Sequence, residues 1–332
     1  MRRRAGTMLT IAVAGALFAA SACSTETPDA GSGQSGAGDA AAYPVTIDTE
    51  FGAVTIEEPP QRVVALGWSD AEVALALGVQ PVGAADWLDI GGDGLGPWVE
   101  QSYQEPPEML GTLEVNREKL AELNPDLILD TRASGEQERY DQLSELGVPV
   151  VGPPEDANAY LTSWQDQLAM IGKALGKQAE ATELREGLEA EFATAARQNP
   201  EFRDASVVLG VRSASSYAAY VRGGGRVEFM EELGFRNSPA IQQLAGEDFS
   251  VPVSEERLDL LDADLTVMFL IGVDAKEVTQ DPLYQAVPSV QDGRSVVLSE
   301  ETVSQAFSSA SVAGLSYALD KTVPMFAEAL RG

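Results

Sequence analysis

The chain has no histidine and a single cysteine among its 332 residues. One cysteine cannot close an intrachain disulfide, and without histidine no Cys/His zinc site can form. The general base that usually serves serine and cysteine nucleophiles is missing too. Positive charge is also scarce: 22 Lys and Arg stand against 52 Asp and Glu, a net charge of −30. Such a surface repels nucleic-acid backbone and anionic headgroups, so nucleic-acid binding is set aside. What the chain does have is a 44% hydrophobic content that includes 4 Trp, 8 Tyr and 10 Phe. That is enough for a sizeable core, and the length allows two lobes of ordinary domain size.

The first 22 residues read as a targeting device. Arg2, Arg3 and Arg4 precede an uncharged, largely apolar run from Met8 to Ala20, and Ser21, Ala22 and Cys23 follow. This is the plan of a secretory signal peptide; the run is short and small-residue-rich for a transmembrane anchor. The only cysteine closes the run, as in a bacterial lipobox, where the cysteine is lipidated and becomes the first mature residue. Ala20 stands where that pattern prefers Leu, and a free buried thiol is the alternative reading of Cys23. Residues 23–42 lack bulky apolar side chains apart from the cysteine itself and read as a flexible tether. Cleavage before Cys23 leaves 19 basic against 52 acidic residues, a charge of −33. The triple arginine permits a twin-arginine export route, but the motif is incomplete.

From Tyr43 onward, strand and helix signals alternate. Strands are expected at Arg62–Leu66, Val79–Gly83, Asp126–Asp130 and Val148–Val151, with helices from Ser69 and over Glu136–Leu146. Ser69 and Glu72 have the spacing of a capping box, and Gly78 and Gly147 stand where helices stop. The second half repeats the theme, with strands at Ser206–Val211, Leu265–Ile271 and Ser295–Leu298. Helices are expected at Arg226–Leu233, Glu255–Leu261 and Ser311–Leu330. The fold class is therefore α/β, two Rossmann-like lobes with mainly parallel sheets. One unit recurs without gaps at an offset of 138 residues: VNREKLAELNPDLIL from Val115 and VSEERLDLLDADLTV from Val253. Asn116 and Ser254 are its expected N-caps, although generic amphipathic units also look alike. Between the halves, Ala157–Gln198 reads as a long helical connector without proline. The expected organisation is 1–22 signal peptide, 23–42 lipidated Cys and tether, 43–156 N-terminal lobe, 157–202 connector and 203–332 C-terminal lobe.

Several pieces carry a resemblance over about Tyr43 to Leu330: PQRVVALGWSDAEVALALGVQPVGAADW, LAELNPDLIL, FSVPVSEERLDLLDADL and FSSASVAGLSYALDKTVPMF. In this order the chain resembles the iron-siderophore branch of periplasmic binding proteins with a helical hinge, the class III fold with a long connecting helix. The resemblance implies an extracytoplasmic, lipid-anchored receptor, not an enzyme. It would capture a ferric siderophore and deliver it to the permease and ATPase of an ABC importer. It also implies permease docking by one glutamate per lobe. The matching positions are Glu118 and Glu256, whose alternative role is favourable interaction with a helix dipole.

A siderophore brings its own oxygen donors to iron, so no cofactor and no protein metal ligand are expected. Ligands in α/β sheets sit beyond the carboxyl ends of strands. That rule nominates Trp68, Trp87 and Arg132 in the first lobe. In the second it nominates Arg212 with Tyr217, Tyr220 and Arg222 in the loop after it. Arginine offers a fork of donors and the aromatics offer flat walls. Each Trp has core packing as its alternative, and each Arg a solvated surface position. Gly223–Gly225 beside arginines lacks the order of a P-loop. Cobalamin or haem capture, and a non-transport surface interaction lipoprotein, stay open as other functions. The expected state is a monomer.

Overall fold

The computed structural model describes residues 43–87, 92–155, 157, 159–246 and 248–332. The chain divides into Met1–Gly38 and Asp39–Gly332, and every described residue lies in the second unit. The signal peptide, Cys23 and the tether lie outside the described residues.

The N-terminal lobe opens with a hairpin, β1 (Val45–Thr49) and β2 (Gly52–Ile56), whose alternating side chains bury Val45, Ile47, Val54 and Ile56. A parallel sheet follows: β3 (Val63–Ala65), α1 (Asp70–Ala76), β4 (Gly83–Ala84), β5 (Glu108–Met109), α2 (Arg117–Glu122), β6 (Leu127–Leu129), α3 (Gln137–Ser144) and β7 (Val150–Val151). Its strand order is β5-β4-β3-β6-β7, all parallel. The central strands are buried on both faces, which is why they read as unbroken apolar runs rather than alternation. Gly78 and Gly147, with φ of 78° and 70°, end α1 and α3 in the left-handed region.

The connector is two helices, α4 (Trp164–Ala174) and α5 (Gln178–Gln198). Gly176 (φ 67°) separates them, and α4 packs on α1 and β1 while α5 packs on α6 (Gly225–Glu232) and α12 (Val312–Arg331). Gly172 lets α4 and α5 approach: a Cβ there would lie 2.5 Å from that of Ala181.

The C-terminal lobe carries β8 (Ser206–Ser213), β9 (Tyr217–Tyr220), α6, β10 (Arg236–Asn237), α7 (Pro239–Gln242), β11 (Ser250–Val253) and β12 (Leu265–Ile271). Then come α8 (Ala275–Thr279), α9 (Pro282–Gln285), α10 (Pro288–Gln291), β13 (Ser295–Val297), α11 (Glu301–Ser309) and α12. The sheet order is β11-β9-β8-β12-β13, with β10 beside β8. Its heart, β8-β12-β13, is parallel, and β9 and β11 add an antiparallel edge.

The repeated unit performs one structural task twice. The Asp126 carboxylate accepts from Gln61 N (2.7 Å) and Arg62 N (2.8 Å), just before β3. Asp264, at the 138-residue offset, accepts from Ser206 N and Ser206 Oγ, both at 2.8 Å, at the start of β8. Each aspartate thus registers its own strand against the neighbouring one, β6 on β3 and β12 on β8. The caps differ. Asn116 accepts from Lys119 N at 3.1 Å, whereas Ser254 makes no side-chain cap. The expected helix at Glu255–Leu261 is a 3-10 helix with a break at Arg257 (φ −122°, ψ 29°). Its short-range bonds keep Leu258 and Leu261 buried without a full α turn. Asn116→Ala should therefore cost about 1 kcal/mol in a urea unfolding curve, and Ser254→Ala markedly less.

Candidate functional site

The turn after β3 shapes the first lobe's contribution. Asp70 is fully buried, and its carboxylate accepts from Gly67 N, Thr131 N, Thr131 Oγ1 and Gln167 Nε2 at 2.5–3.1 Å. Burial raises its pKa to about 6, against the pull of those donors in the other direction. Gly67 is required here, because a Cβ would stand 2.3 Å from Asp70 Oδ2 and 2.8 Å from Arg132 N. Trp68 is fixed at both backbone ends, donating N–H to Arg132 O (2.9 Å) and accepting from Gln167 Nε2 (2.7 Å). Its indole stacks between Trp87 (5.3 Å) and Tyr160 (4.2 Å). Trp68 and Trp87 thus lie against one another, with Tyr160, which no strand-end rule would nominate, on the Trp68 ring.

The capping box expected at Ser69 and Glu72 is not formed. Ser69 sits in the left-handed region (φ 65°), and its hydroxyl donates across the lobes to Ser309 O. Glu72 is buried and accepts from Trp98 Nε1 (2.9 Å) and from Ser311 Oγ at the start of α12. Burial raises its pKa. Both side chains are drawn from local capping into contacts with the other lobe.

Arg132 is a strut at the same junction. It is 4% exposed, and Nη1 donates to Ser309 O (2.8 Å) while Nε reaches Tyr160 O (3.3 Å). Burial first, and then the nearby Arg226 guanidinium, bring its pKa down to about 10 against the opposing pull of Glu228 and Asp70. Arg132 thus ties β6 of one lobe to the α11–α12 corner of the other.

The second lobe supplies a cavity of about 720 Å³ beyond the carboxyl ends of β12 and β13. Tyr220, Arg226, Phe269, Ser304, Gln305 and Ser308 are among its walls. Alternation along β9 decides which tyrosine reaches it. Tyr220 packs with Phe249 and Phe269 on the cavity side, and Arg226 lies over its ring at 4.5 Å. Tyr217 points to the opposite face, buried among Val278, Leu261 and Tyr284, and donates to Asp281 (2.6 Å). Arg212 covers Tyr217 on that face at 4.7 Å. The expectation that Arg212, Tyr217, Tyr220 and Arg222 share one loop is corrected: Ser206–Tyr220 is a hairpin, and period 2 sends Tyr217 and Tyr220 apart. Arg222 is 54% exposed at its side chain and paired with Glu231. Of the seven nominated residues, Tyr220 lines this cavity. Arg226, the second residue of α6, is the wall residue that strand-end reasoning missed.

A cavity of about 610 Å³ lies at the corresponding end of the first lobe, with Leu113, Arg117, Arg139, Ser134 and Tyr160 on its walls. Arg139 there is paired with Asp130 at 2.7 Å. Arg132 donates to the carbonyl of Tyr160, a wall residue of this cavity, and feels the charge of Arg226 in the wall of the other. Glu118 and Glu256 are both exposed, one in each lobe, in the two copies of the repeated unit. Among the described residues no cluster of three or more His, Cys, Asp or Glu could hold a metal ion. No described helix is long and apolar enough to cross a membrane.

The family model for periplasmic binding proteins matches residues 63–302. The Fe(3+)-citrate-binding protein YfmC of Bacillus subtilis is 27% identical over 279 residues, covering 82% of this chain and 83% of its own. The Fe(3+) dicitrate-binding periplasmic protein FecB of Escherichia coli is 28% identical over 254 residues, covering 75% and 80%. A periplasmic solute binding protein of Mycobacterium smegmatis shares the fold with a TM-score of 0.74 and 28% identity, over 86% of this chain and 99% of its own. PiaA of Streptococcus pneumoniae in complex with ferrichrome gives a TM-score of 0.73 at 24% identity, over 86% and 98%, a likeness of fold alone.

Proposed function

Because the chain belongs to the periplasmic binding protein family, we propose that it binds a ferric siderophore outside the cytoplasm and hands it to an ABC importer. The observation that carries this reading is its likeness to an Fe(3+)-citrate-binding protein over four fifths of both chains. The architecture agrees in chemical terms. A chelate that already saturates its iron needs walls and donors rather than metal ligands. The cavity of the second lobe offers Tyr220, Phe269, Arg226 and hydroxyl groups, while the first lobe brings the Trp68, Trp87 and Tyr160 stack and the Arg132 strut. The protein acts as a carrier, not an enzyme, and works as a monomer. Cys23 anchors it through lipid to the outer face of the cell membrane, and Glu118 and Glu256 seat it on the permease.

A fluorescence titration tests the binding step. Ferric complexes absorb near the tryptophan emission, and Trp68 and Trp87 lie beside the junction. Sub-micromolar, saturable quenching by one class of ferric siderophore is expected. A response to cobalamin or haem with none to any ferric siderophore would move the substrate and overturn the proposal. Trp68→Ala should remove the larger share of the quenching signal while weakening the complex only about tenfold, the loss of one aromatic wall.

A further inference from the structure

The charge distribution around the second lobe's cavity selects among ferric chelates. We infer that the site takes an anionic, carboxylate-bearing ferric chelate in preference to a neutral or cationic trihydroxamate, with Arg226 as the residue that recognises the charge. The inference rests on the siderophore reading above and narrows it.

Arginines elsewhere near the two cavities have partners, except Arg212, whose Nε is also buried without one but which lies over Tyr217 on the opposite face of the sheet. Arg117 is paired with Glu145, Arg139 with Asp130 and Arg222 with Glu231, and Arg132 donates to Ser309 O and Tyr160 O. Arg226 differs. Its guanidinium lies over the faces of Tyr220 (4.5 Å) and Phe269 (5.6 Å), and its Nε is buried without a hydrogen-bond partner among the described residues. Tyr220 and Phe269, whose rings stand at 88° to one another, hold the guanidinium in an aromatic corner, and a fork of donors so held suits a carboxylate.

The surrounding groups set the sign. Arg132 stands close enough for the two guanidiniums to oppose one another's charge. Glu228 faces Arg132, has one buried carboxylate oxygen without a partner, and is held toward its neutral form by burial. The other acids of the cavity lie at its exposed rim and have work of their own. Asp274 caps α8, and Glu301 accepts from Gln305. The inner wall is thus a cationic point in a chain of net charge −30. An approaching anion is repelled by the surface in general and attracted at this one place, so the charge acts on selection more than on capture at long range. Ser304, Gln305 and Ser308 add neutral polar groups on the facing helix α11.

The test compares ferric citrate with a cationic ferric trihydroxamate, ferrioxamine, by equilibrium dialysis on the full chain and on Arg226→Gln and Arg226→Lys. The wild type should bind ferric citrate at least about tenfold tighter than ferrioxamine. Arg226→Gln should lose about 10- to 100-fold in affinity for ferric citrate and change less than about twofold toward ferrioxamine, the loss of one charge-assisted contact. Arg226→Lys keeps the charge without the fork and should fall between. Equal losses for both chelates in Arg226→Gln, or no preference in the wild type, would overturn the assignment while leaving the siderophore reading standing. Silence of the wild type toward every ferric chelate would overturn both. If Arg226→Gln unfolds, the wild-type preference and the Arg226→Lys ratio still decide the matter.

Discussion

Replacing Asp70 by alanine should lower the unfolding free energy by about 3–5 kcal/mol at pH 7, the largest stability loss expected from any single side chain of the inter-lobe region. Four donors converge on that carboxylate, two of them backbone N–H groups of the turns after β3 and β6. All four would be left in a space closed to water, and each buried donor without an acceptor costs about 1–3 kcal/mol. Part of that loss is offset, because the ionised carboxyl is itself disfavoured in this place. Its pKa is raised to about 6 from an ordinary value of 3.8. In the window between those values the folded protein holds a proton that the unfolded chain has released. Stability therefore falls as pH rises from about 4 to about 6 and is flat above, a contribution of about 3 kcal/mol in all. Asp70→Asn removes this slope. Its Oδ1 can accept from the two backbone donors and its Nδ2 can donate to the Thr131 hydroxyl, while Gln167 Nε2 keeps its bond to Trp68 O. In urea unfolding the wild type should therefore lose about 2 kcal/mol relative to Asp70→Asn between pH 4.5 and pH 7. A difference that does not change with pH would show that Asp70 does not titrate in this window.

Reversing both exposed glutamates, Glu118→Lys with Glu256→Lys, should reduce iron uptake by cells to background while leaving the affinity for the ferric chelate within about twofold. The two residues occupy equivalent places in the repeated unit, and each is exposed on its own lobe. Neither lines a cavity or bonds the inter-lobe junction. If they seat in cationic pockets of the permease, each reversal replaces an attraction with a like-charge clash worth several kcal/mol. Two together would weaken docking by well over 100-fold. The same substitutions should cost the isolated protein little stability, because surface charges of this kind contribute about 0–1 kcal/mol each. Normal uptake by the double variant would remove these glutamates from the docking surface. Loss of chelate binding would place them in the ligand site instead.

The sequence made the fold legible because the central strands carry their own signature. Leu265–Ile271 appears as read, and Gly78 and Gly147 stop their helices with positive φ as their positions implied. The recurring unit was legible as a pattern, and its meaning appeared only with Asp126 and Asp264 bonded to equivalent strands. The site was harder to read for two physical reasons. Side chains that look like local caps, Ser69 and Glu72, are claimed by Ser309 and by Ser311 and Trp98, more than 200 residues away in two of the three cases. β8 is legible as a strand, but β9 reads as part of the loop after it, because the turn between them is Ser- and Ala-rich. Once it is a strand, alternation assigns Tyr220 to the cavity and Tyr217 to the opposite core. Arg132, nominated as a donor to ligand, also bonds the backbone carbonyls of Tyr160 and Ser309, contacts that its sequence neighbours do not announce. Arg226 was overlooked because nothing in its immediate sequence reports that Phe269, 43 positions on, lies under it.

Iron, still wrapped in its chelator, is expected to rest in the second lobe's cavity between Tyr220, Arg226 and the helix that bears Ser304 and Ser308. Anomalous diffraction at the iron edge, from crystals grown with ferric citrate, tests it directly. The account predicts a single strong peak in that cavity, within reach of the Arg226 guanidinium through the chelator's carboxylates and with no protein atom bonded to the metal. A peak ligated by protein carboxylates, or none in the cavity of a crystal that contains iron elsewhere, would contradict it.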